Sequence, residues 1–153
     1  STTAGNSSQV TDGAAAVLLA RRSVAEQLGL PIKGRVVSYA VAGVPPDVMG
    51  IGPAYAIPAA LKKAGLSTDD IDVYEINEAF ASQCLFSAKH LKLDLNKLNP
   101  RGGAIALGHP LGATGARQIK TLFSELERTN KRFGVVSMCI GTGMGAAGVF
   151  ERE

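Results

Sequence analysis

An uncharged run of 18 residues, Phe133 to Phe150, most constrains what this chain can fold into, because five glycines interrupt it: Gly134, Gly141, Gly143, Gly145 and Gly148. A run of that length could cross a bilayer as a helix. Each interior glycine, however, weakens a helix by about 1 kcal/mol relative to alanine, and Ser137 and Thr142 add polar groups to the same stretch. The run therefore predicts two antiparallel strands, Gly134 to Ile140 and Ala146 to Arg152, joined by a glycine turn. A second segment, Gly102 to Gly115, holds five more of the chain's 18 glycines. Glycine at this density allows tight turns and brings backbone N–H groups close to a ligand.

The remaining pattern alternates. Asp12 to Ala20 is a short apolar run suited to a strand buried on both faces, and Arg21 to Leu28 reads as a helix closed by Gly29 and Pro31. Gly34 to Val44 is the next strand, ended by Pro45 and Pro46. Pro53 to Ala64 reads as a helix that Pro58 kinks or delays. A strand at Ile71 to Ile76 and helices at Ala79 to Lys92 and Thr114 to Arg128 complete an order expected of an α/β layered domain. The acidic cluster Asp69, Asp70, Asp72, Glu75 and Glu78 has no His or Cys beside it and reads as a solvated turn followed by an exposed strand face, not a metal site.

At 153 residues and 46% hydrophobic content, one folded domain is expected, alone or with a piece of another. A net charge of +3 with 5% aromatics and no Trp argues against nucleic-acid binding. Cys84 and Cys139 fit neither a metal spacing nor a disulfide framework. The polar opening, Ser1 to Val10, has no secretory signal pattern.

Each glycine segment carries a reactive residue. His109 is fixed between Gly108 and Pro110, a sensible mount for a general base, although a lone loop histidine is more often structural. Cys139 lies where a strand gives way to Gly141-Thr142-Gly143, and the Gly141 N–H could stabilise a thiolate or an oxyanion; a buried structural cysteine is the alternative. Asn77, where a strand meets a helix, either caps that helix or orients a water. Cys84 falls on an apolar helix face and His90 on a helix surface. Gly143-Met144-Gly145-Ala146-Ala147-Gly148 matches a dinucleotide fingerprint, but a hairpin fits better than the helix and strand that motif needs next. Together a base, a thiol, a backbone oxyanion pocket and a positioning amide suit acyl transfer.

These residues resemble the thiolases, in particular the C-terminal half of those of the peroxisomal 3-ketoacyl-CoA type. The motifs are Thr3 to Ala15, Met49-Gly50-Ile51-Gly52-Pro53, Asn77-Glu78-Ala79-Phe80, Gly108-His109-Pro110 and Cys139 to Gly145, in order along the whole chain. The resemblance implies a βαβαβαββ layered fold with a mixed sheet and helices on both faces. Residues 1–31 would close an N-terminal domain with its last strand and helix, and 32–153 would form the C-terminal domain.

It further implies thiolytic cleavage of a 3-ketoacyl-CoA, with His109 drawing a proton from a nucleophilic cysteine and Cys139 acting as the second acid and base. Asn77 with a water, and the Gly141 N–H, would hold the two oxyanions, and Ser8, Met49, Ala79 and Phe80 would line the pantetheine and acyl channel. Coenzyme A is then a substrate, with no permanently bound cofactor. The nucleophile of that family lies in the N-terminal half, outside these residues, so the polypeptide alone is expected to be inactive, with apolar faces exposed where that half would pack. A homodimer and a peroxisomal location follow by resemblance only. A biosynthetic, acetoacetyl-CoA-forming relative and a noncatalytic CoA-binding module are the competing readings.

Overall fold

The computed structural model describes residues 1–153. In chain order it contains helix α1 (Arg22–Gln27), strand β1 (Gly34–Gly43), helix α2 (Gly52–Ala64), strand β2 (Val73–Ile76), helix α3 (Ala81–His90), the single turn α4 (Ala104–Leu107), helix α5 (Thr114–Thr129), and strands β3 (Phe133–Ile140) and β4 (Met144–Arg152). The strands form one mixed sheet in the order β1-β4-β3-β2, with β2 parallel to β3 and the other pairs antiparallel. The uncharged run is thus the β3–β4 hairpin at the centre of the sheet, and no helix is long and apolar enough to cross a membrane.

Helices cover both faces. On one, α2 supplies Ala56, Ile57, Ala60 and Leu61 to a core shared with Val135, Ala147 and Val149, each fully or almost fully buried. On the other, Leu122 and Leu126 of α5 pack with Val73, Val136 and Phe150. Burying a side chain such as Ile57 or Leu122 contributes roughly 1.5–3 kcal/mol. Helix α2 starts at Gly52 and runs through Pro58 to Ala64, so the proline does not delay it. Gly65 closes it in the left-handed conformation, with φ +69°.

Two expectations are corrected. Asp12 to Ala20 is not a strand: it makes no ladder, and Leu18 and Leu19 are 80% and 74% exposed. The outer edge of β1 is unpaired, but this segment makes no ladder with it: residues 16–20 border an apolar groove that they share with Gly34–Val36, and water is left to satisfy their backbone groups. The first strand of the expected order is therefore absent, and the observed order begins with a helix. The second correction concerns β2. It has no solvated face: all four of its residues are buried, Glu75 completely. Helix α5 covers one face, and Asn99 caps the outer edge, its backbone N–H donating to Tyr74 O at 2.8 Å and its side-chain Oδ1 accepting from Ile76 N at 2.9 Å. That side chain stands in for a further strand on an otherwise open edge. Asp69 and Asp70 do form the exposed turn expected of them.

Candidate active site

The candidate residues converge at the carboxyl ends of the parallel strands β2 and β3, where open α/β sheets commonly bind ligands. Asn77 follows β2 directly, and its backbone N–H donates to Ser137 O of β3 at 2.9 Å. Cys139 lies two residues beyond Ser137 on that same strand. Asn77 does not cap the following helix: the residue ahead of α3 is Phe80, and no side chain caps it. Instead its amide Nδ2 lies 3.3 Å from His109 Nε2. Its Oδ1 is buried with no protein partner.

Two elements fix the His109 loop. Gly108 adopts φ +92°, and a Cβ there would come within 2.6 Å of Thr11 Oγ1, so glycine is required on both counts. Glu78 anchors the approach to the loop by accepting from Ile105 N at 3.3 Å at the start of α4. On the far side of the ring, His109 Nδ1 is 2.7 Å from Thr114 Oγ1, which itself donates to Pro110 O at 3.3 Å. The Asn77 amide nitrogen can only donate, so Nε2 must accept and the imidazole proton lies on Nδ1, which donates it to Thr114 Oγ1. Nε2 is left with a lone pair that accepts from Asn77. Burial, and then the Arg117 cation, hold His109 below the usual histidine range, so the ring is neutral at physiological pH.

Cys139 is half-buried and not in a disulfide. Burial raises its thiol above the ordinary value, so the protonated form is the resting state and a proton is available to give. It opens the turn Gly141-Thr142-Gly143, where Gly141 is exposed and has nothing within 4 Å of the space a Cβ would take. Thr142 sits at φ +71°, an outlier for a β-branched residue. Cys84 is 3% exposed, and burial pushes its thiol up to about 12, which makes it an inert core residue as expected.

The expected channel residues cluster at this end too. An N-terminal strap lies across the site: Ser8 N donates to Ala79 O at 3.0 Å, and His109 N donates to Gln9 O at 2.9 Å. Ser7 bridges to Phe80 and Val10 to His109. Ser8, Ala79 and Phe80 are thus brought together half-buried beside the histidine loop. Met49, in the turn Pro46–Ile51, is also half-buried. Its neighbour Gly50 abuts Gln83 of α3, where a Cβ would lie 2.9 Å from the Gln83 Cβ. Sequence reasoning missed Thr114 and Asn99. Thr114 is the first residue of α5, five positions after His109, a spacing whose meaning depends on how the loop folds back. An apolar groove of about 1100 Å³ lies elsewhere, between residues 16–36 and α5, lined by Leu18, Leu19, Phe123 and Phe150 among others. None of the candidate residues borders it.

A family model described as the thiolase C-terminal domain matches residues 30–152. The chain is 74% identical over 152 residues to 3-ketoacyl-CoA thiolase B, peroxisomal, of Rattus norvegicus, covering 99% of this chain and 36% of that protein. Among solved structures it is similar to the dimeric peroxisomal thiolase of Saccharomyces cerevisiae, with a TM-score of 0.94 and 64% identity over 99% of this chain and 38% of that one. It is also similar to human mitochondrial 3-ketoacyl-CoA thiolase in complex with CoA, with a TM-score of 0.85 and 46% identity over 88% of this chain and 34% of that one. The chain spans about 36% of the length of the rat relative it matches.

Proposed function

Because the chain belongs to the thiolase family through that family's C-terminal domain, we propose that it supplies the acid–base wall of a 3-ketoacyl-CoA thiolase active site. The observation that carries this reading is the neutral His109, its Nε2 lone pair held 3.3 Å from the Asn77 amide at the strand ends that also present Cys139.

In the proposed reaction, His109 Nε2 takes the proton of a nucleophilic cysteine thiol, and the thiolate attacks the keto carbon of a 3-ketoacyl-CoA. The bond between the two carbons then breaks, leaving an acyl thioester on the nucleophile. The departing acetyl-CoA carbanion takes the proton of the Cys139 thiol. The Cys139 thiolate in turn deprotonates incoming CoA, whose thiolate accepts the acyl group and releases the nucleophile as a thiolate, to which His109 returns its proton. The Asn77 amide, with a water on its unpartnered Oδ1 and with His109, suits one oxyanion, and the exposed Gly141 N–H suits the other. Coenzyme A enters as a substrate. Its pantetheine and the acyl chain would run past Ser8, Met49, Ala79 and Phe80.

Neither cysteine of this chain fits the nucleophile. Cys84 is buried with its thiol near 12, and Cys139 is committed to the second proton transfer. The nucleophile is therefore assigned to sequence outside these 153 residues, in the other domain of the full-length enzyme. The exposed Leu18 and Leu19 and the apolar groove beside α5 mark the face on which the rest of that domain would sit. Residues 1–31 are read as the end of that domain and 32–153 as the C-terminal one. A homodimer working in peroxisomes is the assembly and location this reading takes from its relatives.

The test mixes this polypeptide with a separately expressed N-terminal domain and measures acetoacetyl-CoA thiolysis. Activity is expected from the mixture, and none from either part. Activity of this polypeptide alone, or a stable complex with none, overturns the reading.

A further inference from the structure

Glu75 is a carboxylate with no exposed surface, at the middle of β2, and no step above uses it. Its Oε2 accepts from Arg117 Nη1 of α5 at 3.2 Å, while Oε1 has no partner. The next residue of that helix, Gln118, donates from Nε2 to the Glu75 backbone carbonyl at 2.9 Å. Apolar residues usually stabilise such a place as well as a buried ion pair does. Its position relative to the base gives it another role.

Val73, Glu75 and Asn77 alternate onto the same face of β2, and Leu122, Gln118 and Thr114 recur every four residues on the face of α5 that meets it. Two residues of strand rise about 6.6 Å and four residues of helix about 6 Å, so the two rows stay in step. Val73 shares an apolar cluster with Leu122, Glu75 binds Arg117 and Gln118, and Asn77 reaches Thr114 only through the His109 ring between them. The rung beneath the base is the last direct tie between strand and helix.

We propose that Glu75 and Arg117 are positioning residues, a buried clamp that sets the spacing of Asn77 and Thr114 and so the orientation and local field of the His109 ring held between them. This rests on the thiolase reading for its catalytic consequence. Arg117 acts electrostatically on both partners, opposing protonation of His109 and favouring ionisation of Glu75. The other charges facing Glu75 are Glu125 of α5 and Glu78 after β2, and both favour its neutral form. Glu75 holds its proton at the pH where His109 titrates, so the charge felt by the imidazole there is that of Arg117.

The test uses the full-length enzyme with the near-isosteric variants Glu75→Gln and Arg117→Met. Both are expected to lower kcat by roughly tenfold or more with KM for the acyl-CoA within about twofold, as for a misplaced base. The acidic limb of the rate profile, which His109 sets as the base, should move to higher pH in Arg117→Met and stay in place in Glu75→Gln, because Glu75 already holds its proton at the pH where His109 titrates. Carbethoxylation of His109 by diethyl pyrocarbonate, followed by peptide mass spectrometry against pH with His90 as the exposed reference, reads the same pair of profiles without any turnover. A merely structural pair would lower thermal stability and leave the profiles of both variants unmoved, and that result overturns the proposal. A carbethoxylation profile displaced in Arg117→Met, in a protein with no thiolysis, would keep the clamp and reject the thiolase reading. Normal thiolysis with both profiles unmoved would do the reverse. Should either variant lose its melting transition, Arg117→Lys carries the test. It keeps the charge and loses the planar fork, so kcat should fall about threefold or more with the limb in place, and unchanged kcat overturns the clamp.

Discussion

Thr114 Oγ1 lies 2.7 Å from His109 Nδ1 and passes its own hydrogen to Pro110 O, so one buried hydroxyl decides which imidazole nitrogen is free to act as a base. Replacing it by Val keeps the shape and removes the acceptor. Thr114→Val in the full-length enzyme is expected to lower kcat by roughly 10- to 100-fold, because the tautomer with a free Nε2 loses its support. Thr114→Ser should restore most of the rate. Steady-state thiolysis of both variants checks this, and a Val variant as active as the parent would remove Thr114 from the mechanism.

Glu75 gives stability an unusual pH dependence. Burial pushes its carboxyl up to about 7 from an ordinary 4.5, against the pull of Arg117. Between those values the folded state holds a proton that the unfolded chain has released, so stability falls as pH rises through this window. At about 1.4 kcal/mol per pH unit the contribution is about 3 kcal/mol, complete below the unfolded value and gone above the folded one. Carboxylates such as Glu151, held low by Arg132, slope the other way, so the comparison is between parent and Glu75→Gln. Urea unfolding at a series of pH values should show the parent losing ground to the variant as pH increases. A constant difference would show that Glu75 titrates normally.

The two thiols should separate cleanly. Cys139 is half-buried and Cys84 is 3% exposed with its thiol near 12. Iodoacetamide is expected to alkylate Cys139 well before Cys84 in the native protein, read by peptide mass spectrometry. Cys139→Ala should reduce thiolysis by roughly 100-fold or more. Cys84→Ala should cost about 1 kcal/mol of stability and leave the rate within about twofold. Preferential labelling of Cys84 would contradict the burial on which its assignment rests.

Thr142 occupies the left-handed region at φ +71° in the turn after Cys139. That conformation costs a β-branched residue of order 1–3 kcal/mol, which glycine would not incur. Thr142→Gly is therefore expected to raise the melting temperature, measurable by differential scanning calorimetry. A decrease would mean that the threonine contacts outweigh the backbone strain.

Periodicity and punctuation in the chain determined most of the elements and their type: the glycine-broken run Phe133 to Phe150 could only be a hairpin, and Ile119, Leu122, Phe123 and Leu126 could only be one face of a helix. The motif residues His109, Cys139, Asn77 and Gly141 were legible as chemistry because glycine turns mount them. What tertiary structure alone decided is long-range. The spacing of residues 12–20 suits a strand, yet the segment pairs with no strand, not even the open edge of β1 beside the groove it borders, and so lies exposed. Glu75 looks like one charge in a solvated acidic cluster, and it became a buried ligand of Arg117 because α5, some 40 residues later, lies down on β2 in register. Local sequence sets which dihedrals are cheap. Burial and the partner of a polar group depend on what distant segment arrives beside it, and that is settled only when the helices close over the sheet.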